Sequence, residues 1–226
     1  MATMKELEFS TKYDPDHSKN YYLKHKQGVR RRLTTWKEVS LARKALQIAG
    51  NPRAILDLPC GAGRFWPMLA EDPRRRLFAA DNSQAMIDVT SQFQDGELRA
   101  RFKCFQTSAF AIDMPDASVD NIFCMRLLHH IAEEADRLAI LKEFYRVTRS
   151  TVCLSMWVDA NLQARRRKRV EARRSDARIK NRIVITAKQA EQEYRQAGFR
   201  ILGHLDLLPR ISMWRFYILE KTSATA

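Results

Sequence analysis

No apolar run in this 226-residue sequence approaches the ~20 residues that a bilayer-spanning helix needs, so a helical integral membrane protein is excluded. The opening stretch, MATMKELEFSTKYDPD, is charged where a secretory leader is apolar, and the expected location is the cytoplasm. Cysteine is scarce. Cys60, Cys104, Cys124 and Cys153 form no CxxC pair and have no adjacent histidine, so buried free thiols are expected and no metal site. There is no internal repeat, and low complexity is confined to RRRKRVEARR. No linker breaks the chain, which reads as a single domain over 1–226. Acid is also in deficit, with 26 Asp/Glu against 40 Lys/Arg and a net charge of +14.

That charge is unevenly placed. Residues 1–50 hold 11 Lys/Arg against 5 Asp/Glu, and residues 157–182 hold 10 against 3. The remainder is almost neutral. A neutral body with two basic segments points to an anionic partner, set against the simpler reading of two solvated basic faces.

The rest of the chain alternates strand and helix patterns. AILD is apolar up to its acid, as in a strand buried on both faces, and RFWPMLAED begins a helix with Pro67 near its start. RLFAAD, RFKCFQ, SVDNIFCM and TVCLSMW read as four further strands, with helical spacing in NSQAMIDVTSQFQ and EEADRLAILKEFYRV between them. After a helix in TAKQAEQEYRQAGF, stopped at Gly198, come RILGHLDLL and SMWRFYILEK, separated only by PRI. A parallel crossover needs a dozen or more residues, so these last two strands are predicted to be an antiparallel hairpin. The fold class is therefore α/β: a seven-stranded, mostly parallel sheet with helices on both faces and a C-terminal antiparallel hairpin. Residues 51–156 and 183–226 make the core, 1–50 a basic N-terminal helical cap and 157–182 a basic insert.

The stretch AILDLPCGAGRFW places two glycines just past the first strand. A dinucleotide fingerprint would require glycine at position 66, where Trp66 stands, and no Gly-Lys-Ser/Thr ending marks a P-loop. What remains is an acid ending the first strand, two close glycines, and a second acid, Asp81, at the end of the second strand. An acid there can accept hydrogen bonds from both hydroxyls of a ribose.

This layout, together with SAFAIDMPDASVD and LLHHI, resembles the class I S-adenosylmethionine-dependent methyltransferases of small-molecule type, which have a Rossmann-like core and read LDLGCGTG at the first loop. The likeness spans roughly residues 50 to 220. It implies S-adenosyl-L-methionine as cofactor, with Asp57, Pro59, Cys60, Gly61 and Gly63 under its methionine part. Asp81 is implied at the ribose, Asn82 beside the adenine, and Ser108 with Ala109 at the adenine edge. Two departures stand out: Pro59 replaces the family's first glycine, and Ser108 replaces an acid. Arg126 is implied at either the cofactor carboxylate or the acceptor.

For the transfer itself, His129 and His130 follow the fourth strand. Either one takes a proton from the acceptor, or the pair only begins a helix and packs. Tyr21 and Arg32 belong to a segment that covers the site in similar proteins, and Arg165, Arg166 and Arg167 to the basic insert where such enzymes often recognise acceptors. The expected acceptor is anionic, methylated on oxygen or nitrogen. A phosphorylated saccharide or an envelope glycolipid precursor of lipopolysaccharide type, met at the inner membrane face, is favoured. A protein partner bound through the basic segments is a further expectation. RNA or protein as acceptor, and a non-catalytic binding module, are the alternatives. Nucleic acid is the less favoured because the insert lacks aromatics for base stacking.

Overall fold

In the computed structural model, which describes residues 29–172 and 182–222, the predicted alternation closes into one seven-stranded sheet. Helix α1 spans Val29–Ile48 and precedes strand β1, Ala54–Asp57. Then follow α2 (Trp66–Leu69), β2 (Arg76–Asp81), α3 (Gln84–Phe93), α4 (Gly96–Ala100), β3 (Phe102–Gln106) and β4 (Val119–Cys124). A 3-10 turn at Leu128–His130 leads to α5 (Glu134–Val147), β5 (Thr148–Trp157) and α6 (Leu162–Ala172). The chain ends with α7 (Ala187–Gln196), β6 (Phe199–Asp206) and β7 (Trp214–Lys221). The strand order is β3-β2-β1-β4-β5-β7-β6, with β7 antiparallel to both of its neighbours and all other pairs parallel. The expected topology and its terminal hairpin are therefore present.

Side-chain alternation sorts the strand residues onto two faces. Leu56, Ile122 and Leu154 join one cluster with Ile140, Leu141 and Phe144 of α5 and with Ala190 and Tyr194 of α7. Their sequence neighbours Ile55, Phe123 and Cys153 join the other, with Ala42 and Leu46 of α1 and with Trp66. Both faces are covered, which is why these strands read as nearly continuous apolar runs. Cys60, Cys124 and Cys153 are buried free thiols, and Cys104 is half-buried and free.

Two local details follow from single residues. The helix begun at Trp66 lasts one turn, shorter than the pattern RFWPMLAED suggests. Past its C-cap at Ala70, the Asp72 carboxylate accepts from the Arg74 backbone N–H at 3.0 Å across Pro73. Gly198 ends α7 with φ +93, and a Cβ there would lie 2.7 Å from the Tyr145 ring. Ser83 and Thr186 cap α3 and α7 through their side-chain oxygens.

Helices α5 and α7 are tied by a buried ion pair. Arg137 donates to both carboxylate oxygens of Glu193 at 2.8 and 2.6 Å, and its remaining N–H groups reach the carbonyls of Ile131 and Ala132. Every charge-bearing atom is thus met, which is the condition for keeping a buried pair. Replacing Arg137 with methionine is expected to cost about 3–5 kcal/mol in urea unfolding, because Glu193 stays buried without its partner. The double variant Arg137→Met/Glu193→Met is expected to recover much of that loss.

Candidate functional site

The order of the sheet reverses at β1, which lies between β2 and β4, and open α/β sheets bind ligands in the crevice at such a point. There the end of β1 and the end of β2 meet directly. The Gly61 N–H donates to Asp81 Oδ2 at 3.0 Å, and the Ser83 N–H donates to Asp81 Oδ1 at 3.0 Å. Each carboxylate oxygen therefore keeps a lone pair beyond the bond it makes to the loop. Burial raises the Asp81 carboxyl, and the backbone donors pull it back.

Asp57, two residues before the cis Leu58–Pro59 bond, is buried and accepts from the Trp66 indole N–H at 3.1 Å. Its carboxyl is pushed well above the ordinary range, first by burial and also by the nearby Asp81, against the pull of the indole. The Cys60 N–H donates to the Ala80 carbonyl at 2.8 Å, which fastens the loop along the end of β2. Burial, Asp81 and Asp57 push the Cys60 thiol far upward, so it stays protonated.

The two glycines of the loop differ in kind. Both have positive φ, +51 at Gly61 and +67 at Gly63. Among the described residues a Cβ at Gly61 would meet only the tip of Met86, at 3.8 Å. At Gly63 a Cβ would come within 2.9 Å of Trp66 and 3.0 Å of Thr90 and Gln94. Thr90 of α3 and Gln94, which caps its end, also hold the loop: the Thr90 hydroxyl lies between the Gly61 and Met86 carbonyls, at 2.6 and 2.7 Å, and Gln94 donates to the Ala62 carbonyl at 2.8 Å. Nothing in the residue pattern singled out Thr90 or Gln94.

Around this junction lie the remaining positions implied for the cofactor. The Asn82 carbonyl accepts from the Gln106 side chain at 2.9 Å. The Ser108 hydroxyl accepts from the Phe110 N–H at 3.2 Å, closing a turn, and Ala109 packs on the core. Arg126 has φ +66, and its backbone N–H donates to the Ser155 hydroxyl at 2.8 Å. Its guanidinium reaches Glu38 of α1 at 2.7 Å, and Arg64 reaches the same carboxylate at 2.7 Å. Glu38, buried and gripped by two arginines, fastens α1 to both the glycine loop and the end of β4. A lone glutamate in a mixed helical stretch gave no sign of this in the sequence.

A second cluster continues from Arg126. Its guanidinium lies over the Trp214 ring, 4.7 Å from the centroid. His129 stacks on Trp157 at 4.4 Å and meets Trp214 edge-on at 5.0 Å, and His130 lies 4.2 Å from His129. Arg167 and Arg182 lie over Trp157 at 5.1 and 5.8 Å. His129 is buried, and burial pushes its pKa well below the ordinary value, helped by the adjacent His130 and by the guanidiniums of Arg126, Arg182 and Arg167. The imidazole is thus neutral at physiological pH. Among the described residues its Nδ1 and the Trp157 Nε1, both buried, have no hydrogen-bond partner.

Of the insert arginines, Arg167 joins this cluster, whereas Arg165 and Arg166 are exposed on α6. Arg32 belongs to α1, and Tyr21 lies outside the described residues. Trp157, Trp214 and Arg182 were not among the residues the sequence pattern marked. Among the described residues no helix is long and apolar enough to cross a membrane.

Residues 55–151 match a family described as a methyltransferase domain. An uncharacterised methyltransferase-like protein of Schizosaccharomyces pombe is 34% identical over 96 residues, 41% of this chain and 33% of the relative. A tRNA (carboxymethyluridine(34)-5-O)-methyltransferase of Macaca fascicularis is 26% identical over 118 residues, 52% of this chain and 16% of the relative. This chain therefore spans a third or less of either relative. Among solved structures, magnesium protoporphyrin IX methyltransferase from Synechocystis PCC 6803, with bound SAH, superposes with a TM-score of 0.70 at 15% identity, covering 87% of this chain and 89% of that one.

The raised Asp57 carboxyl has a measurable consequence. A carboxyl with a higher pKa folded than unfolded favours the fold in acid, and that advantage is lost as pH rises from the unfolded value of ~3.9 through the folded one. Asp57→Asn keeps an acceptor for the indole and removes the buried charge. The variant is expected to unfold at higher urea than the parent at pH 8, with the gap closing toward pH 4.

Proposed function

We propose that this chain, whose residues 55–151 match a methyltransferase domain and whose fold superposes on that of a methyltransferase, is an enzyme that transfers a methyl group to oxygen or nitrogen of an anionic acceptor. S-adenosyl-L-methionine is the cofactor. The observation that carries this reading is the bond between Gly61 and Asp81, which brings the loop of the matched domain and the β2 carboxylate together. The residues present fit that group: among the described residues only Met86 would meet a Cβ at Gly61, and Asp81 keeps acceptor capacity for two hydroxyls. Asp57, Pro59, Cys60, Gly61 and Gly63 would line its methionine part, and Asn82, Ser108 and Ala109 its adenine.

The cofactor supplies an activated methyl on a sulfonium, so the chain contributes alignment, exclusion of water and management of one proton. Holding the acceptor atom at attack distance can contribute ~7–11 kcal/mol. His129, neutral and with an unpartnered ring nitrogen, takes the proton from the acceptor. Burial first, and then His130 and the neighbouring arginines, depress its basicity, and an anion bound near those arginines offsets only the second of these contributions.

The favoured acceptor is a phosphorylated saccharide or an envelope glycolipid precursor of lipopolysaccharide type, approached at a membrane face through the basic segments. The two basic segments support this choice, as does the arginine cluster at His129. RNA is the second reading, favoured by the relative that methylates a tRNA.

Asp81→Ala is expected to weaken S-adenosylhomocysteine binding at least about tenfold by calorimetry, and unchanged affinity would move the ribose elsewhere. His129→Gln is expected to lower turnover by about 10²–10⁴ while leaving that affinity intact. Transfer of radiolabelled methyl into fractionated cell extract tests the acceptor class: label in glycolipid or sugar phosphate supports the favoured reading, and label in RNA replaces it.

A further inference from the structure

Backbone hydrogen bonds join the start of α6 to the turn between β6 and β7. The Leu162 N–H donates to the Arg210 carbonyl and the Gln163 N–H to the Ile211 carbonyl, both at 3.0 Å. The turn itself is closed by the Ile211 N–H, which donates to the Leu208 carbonyl at 3.1 Å. Pro209 stands second in it, and Arg210, at φ +63, holds the place that a type II turn usually gives to glycine. Leu162, Leu208 and Ile211 are thus neighbours, and they are 63%, 41% and 52% exposed. Single exposed aliphatic side chains are ordinary, but three fixed at one tip call for a partner.

Charge surrounds that tip. Ala164 is buried against Trp157 and Met213, which fixes the inward side of α6. At 3.6 residues per turn the outward side carries Leu162, Arg165, Arg166 and Arg169, all of them exposed. Among the described residues the side chains of Arg165, Arg166, Arg169 and Arg210 make no hydrogen bond or ion pair, so their charge is open to a partner. Beneath the helix lies the aromatic floor of Trp157 and Trp214, against which His129 packs. Helix α1 adds to this end of the sheet. Glu38 ties it to Arg126 past the end of β4, and it runs on toward the start of β1, so Leu33 and Trp36, ahead of Glu38 and exposed, belong to the crevice end as well.

We propose that Leu162, Leu208 and Ile211, ringed by Arg165, Arg166 and Arg210, dock this chain on an anionic lipid bilayer, with the crevice end of the sheet toward the membrane. The inference rests on the lipid-borne branch of the acceptor reading above and names the surface that serves it. Aliphatic side chains enter the boundary between headgroups and acyl chains, while the arginines stay level with the lipid phosphates. All four residues of the turn are exposed, and a protruding tip suits a layer that can part around it. A second copy of the chain is the poorer occupant, because its arginines would meet these. RNA is poorer too, since the tip offers no aromatic ring for a base to stack on.

The test sediments the full chain with vesicles of phosphatidylcholine containing phosphatidylglycerol, and with vesicles of phosphatidylcholine alone. Binding to the mixed vesicles that weakens with added salt, and much weaker binding to phosphatidylcholine, is expected. Leu208→Ser/Ile211→Ser is expected to lower affinity for the mixed vesicles at least about tenfold, while thermal unfolding and calorimetric S-adenosylhomocysteine binding stay unchanged. Arg165→Gln/Arg166→Gln is expected to lower it by about fivefold per arginine. In Leu208→Trp the added fluorescence is expected to be quenched by lipid brominated on its acyl chains. Unchanged affinity in the serine variant, no such quenching, or tighter binding of a short oligouridylate than of the mixed vesicles would overturn the docking surface. Vesicle binding alongside methyl label found only in RNA or in water-soluble sugar phosphate would sink the lipid-borne acceptor and leave the surface standing. Label in glycolipid without binding to the mixed vesicles would sink the surface alone.

Discussion

The bond from the Gly61 N–H to the Asp81 carboxylate, next to the bond from the Cys60 N–H to the Ala80 carbonyl, fastens the first loop to the end of β2. Everything at the site is referred to it. Asp81 is held by the first loop and by the start of α3 together, so its orientation is set before any ligand arrives. Thr90 and Gln94 then pin the carbonyls of the same loop from the far side. A backbone turn fixed by donors and acceptors on both flanks has little freedom left to lose on binding, which is the physical meaning of a prepared site.

Much of this was legible in the sequence because strand burial and turn chemistry leave periodic marks. The apolar run AILD, the acid ending RLFAAD and the three-residue break before SMWRFYILEK fixed the sheet, its crevice and its terminal hairpin. The residues that escaped notice are those whose partners lie far along the chain. Glu38 meets Arg126 across 88 residues, and Trp157 of β5 meets Trp214 of β7 across the ladder that joins those two strands. Neither pairing leaves a local pattern. The basic insert was visible as charge, but charge alone did not separate Arg167, which turns toward the aromatic floor, from Arg165 and Arg166 on the exposed side of the same helix.

Two centres of different electrical character result. Around β1 and β2 the carboxyls of Asp57 and Asp81 are raised by burial, while around the ends of β4 and β5 an imidazole is suppressed by burial and by guanidiniums. Arg126 lies between them, bonded to Glu38 and resting on Trp214. In the proposed reading a nucleoside with hydroxyls to donate occupies the first centre, and an acceptor bringing negative charge occupies the second. The division follows from which residues end each strand.

The glycines of the first loop carry one further implication. Gly61 answers to the backbone and to whatever occupies the space beside it, whereas Gly63 answers to three side chains of its own fold. In a lineage of such chains the first would drift with the ligand, and asparagine or aspartate could take its left-handed turn. The second would change only in step with the bulk of its neighbours on α2 and α3. The two glycines are thus constrained by different things, Gly61 by its backbone conformation and Gly63 by that and by its packing against Trp66, Thr90 and Gln94.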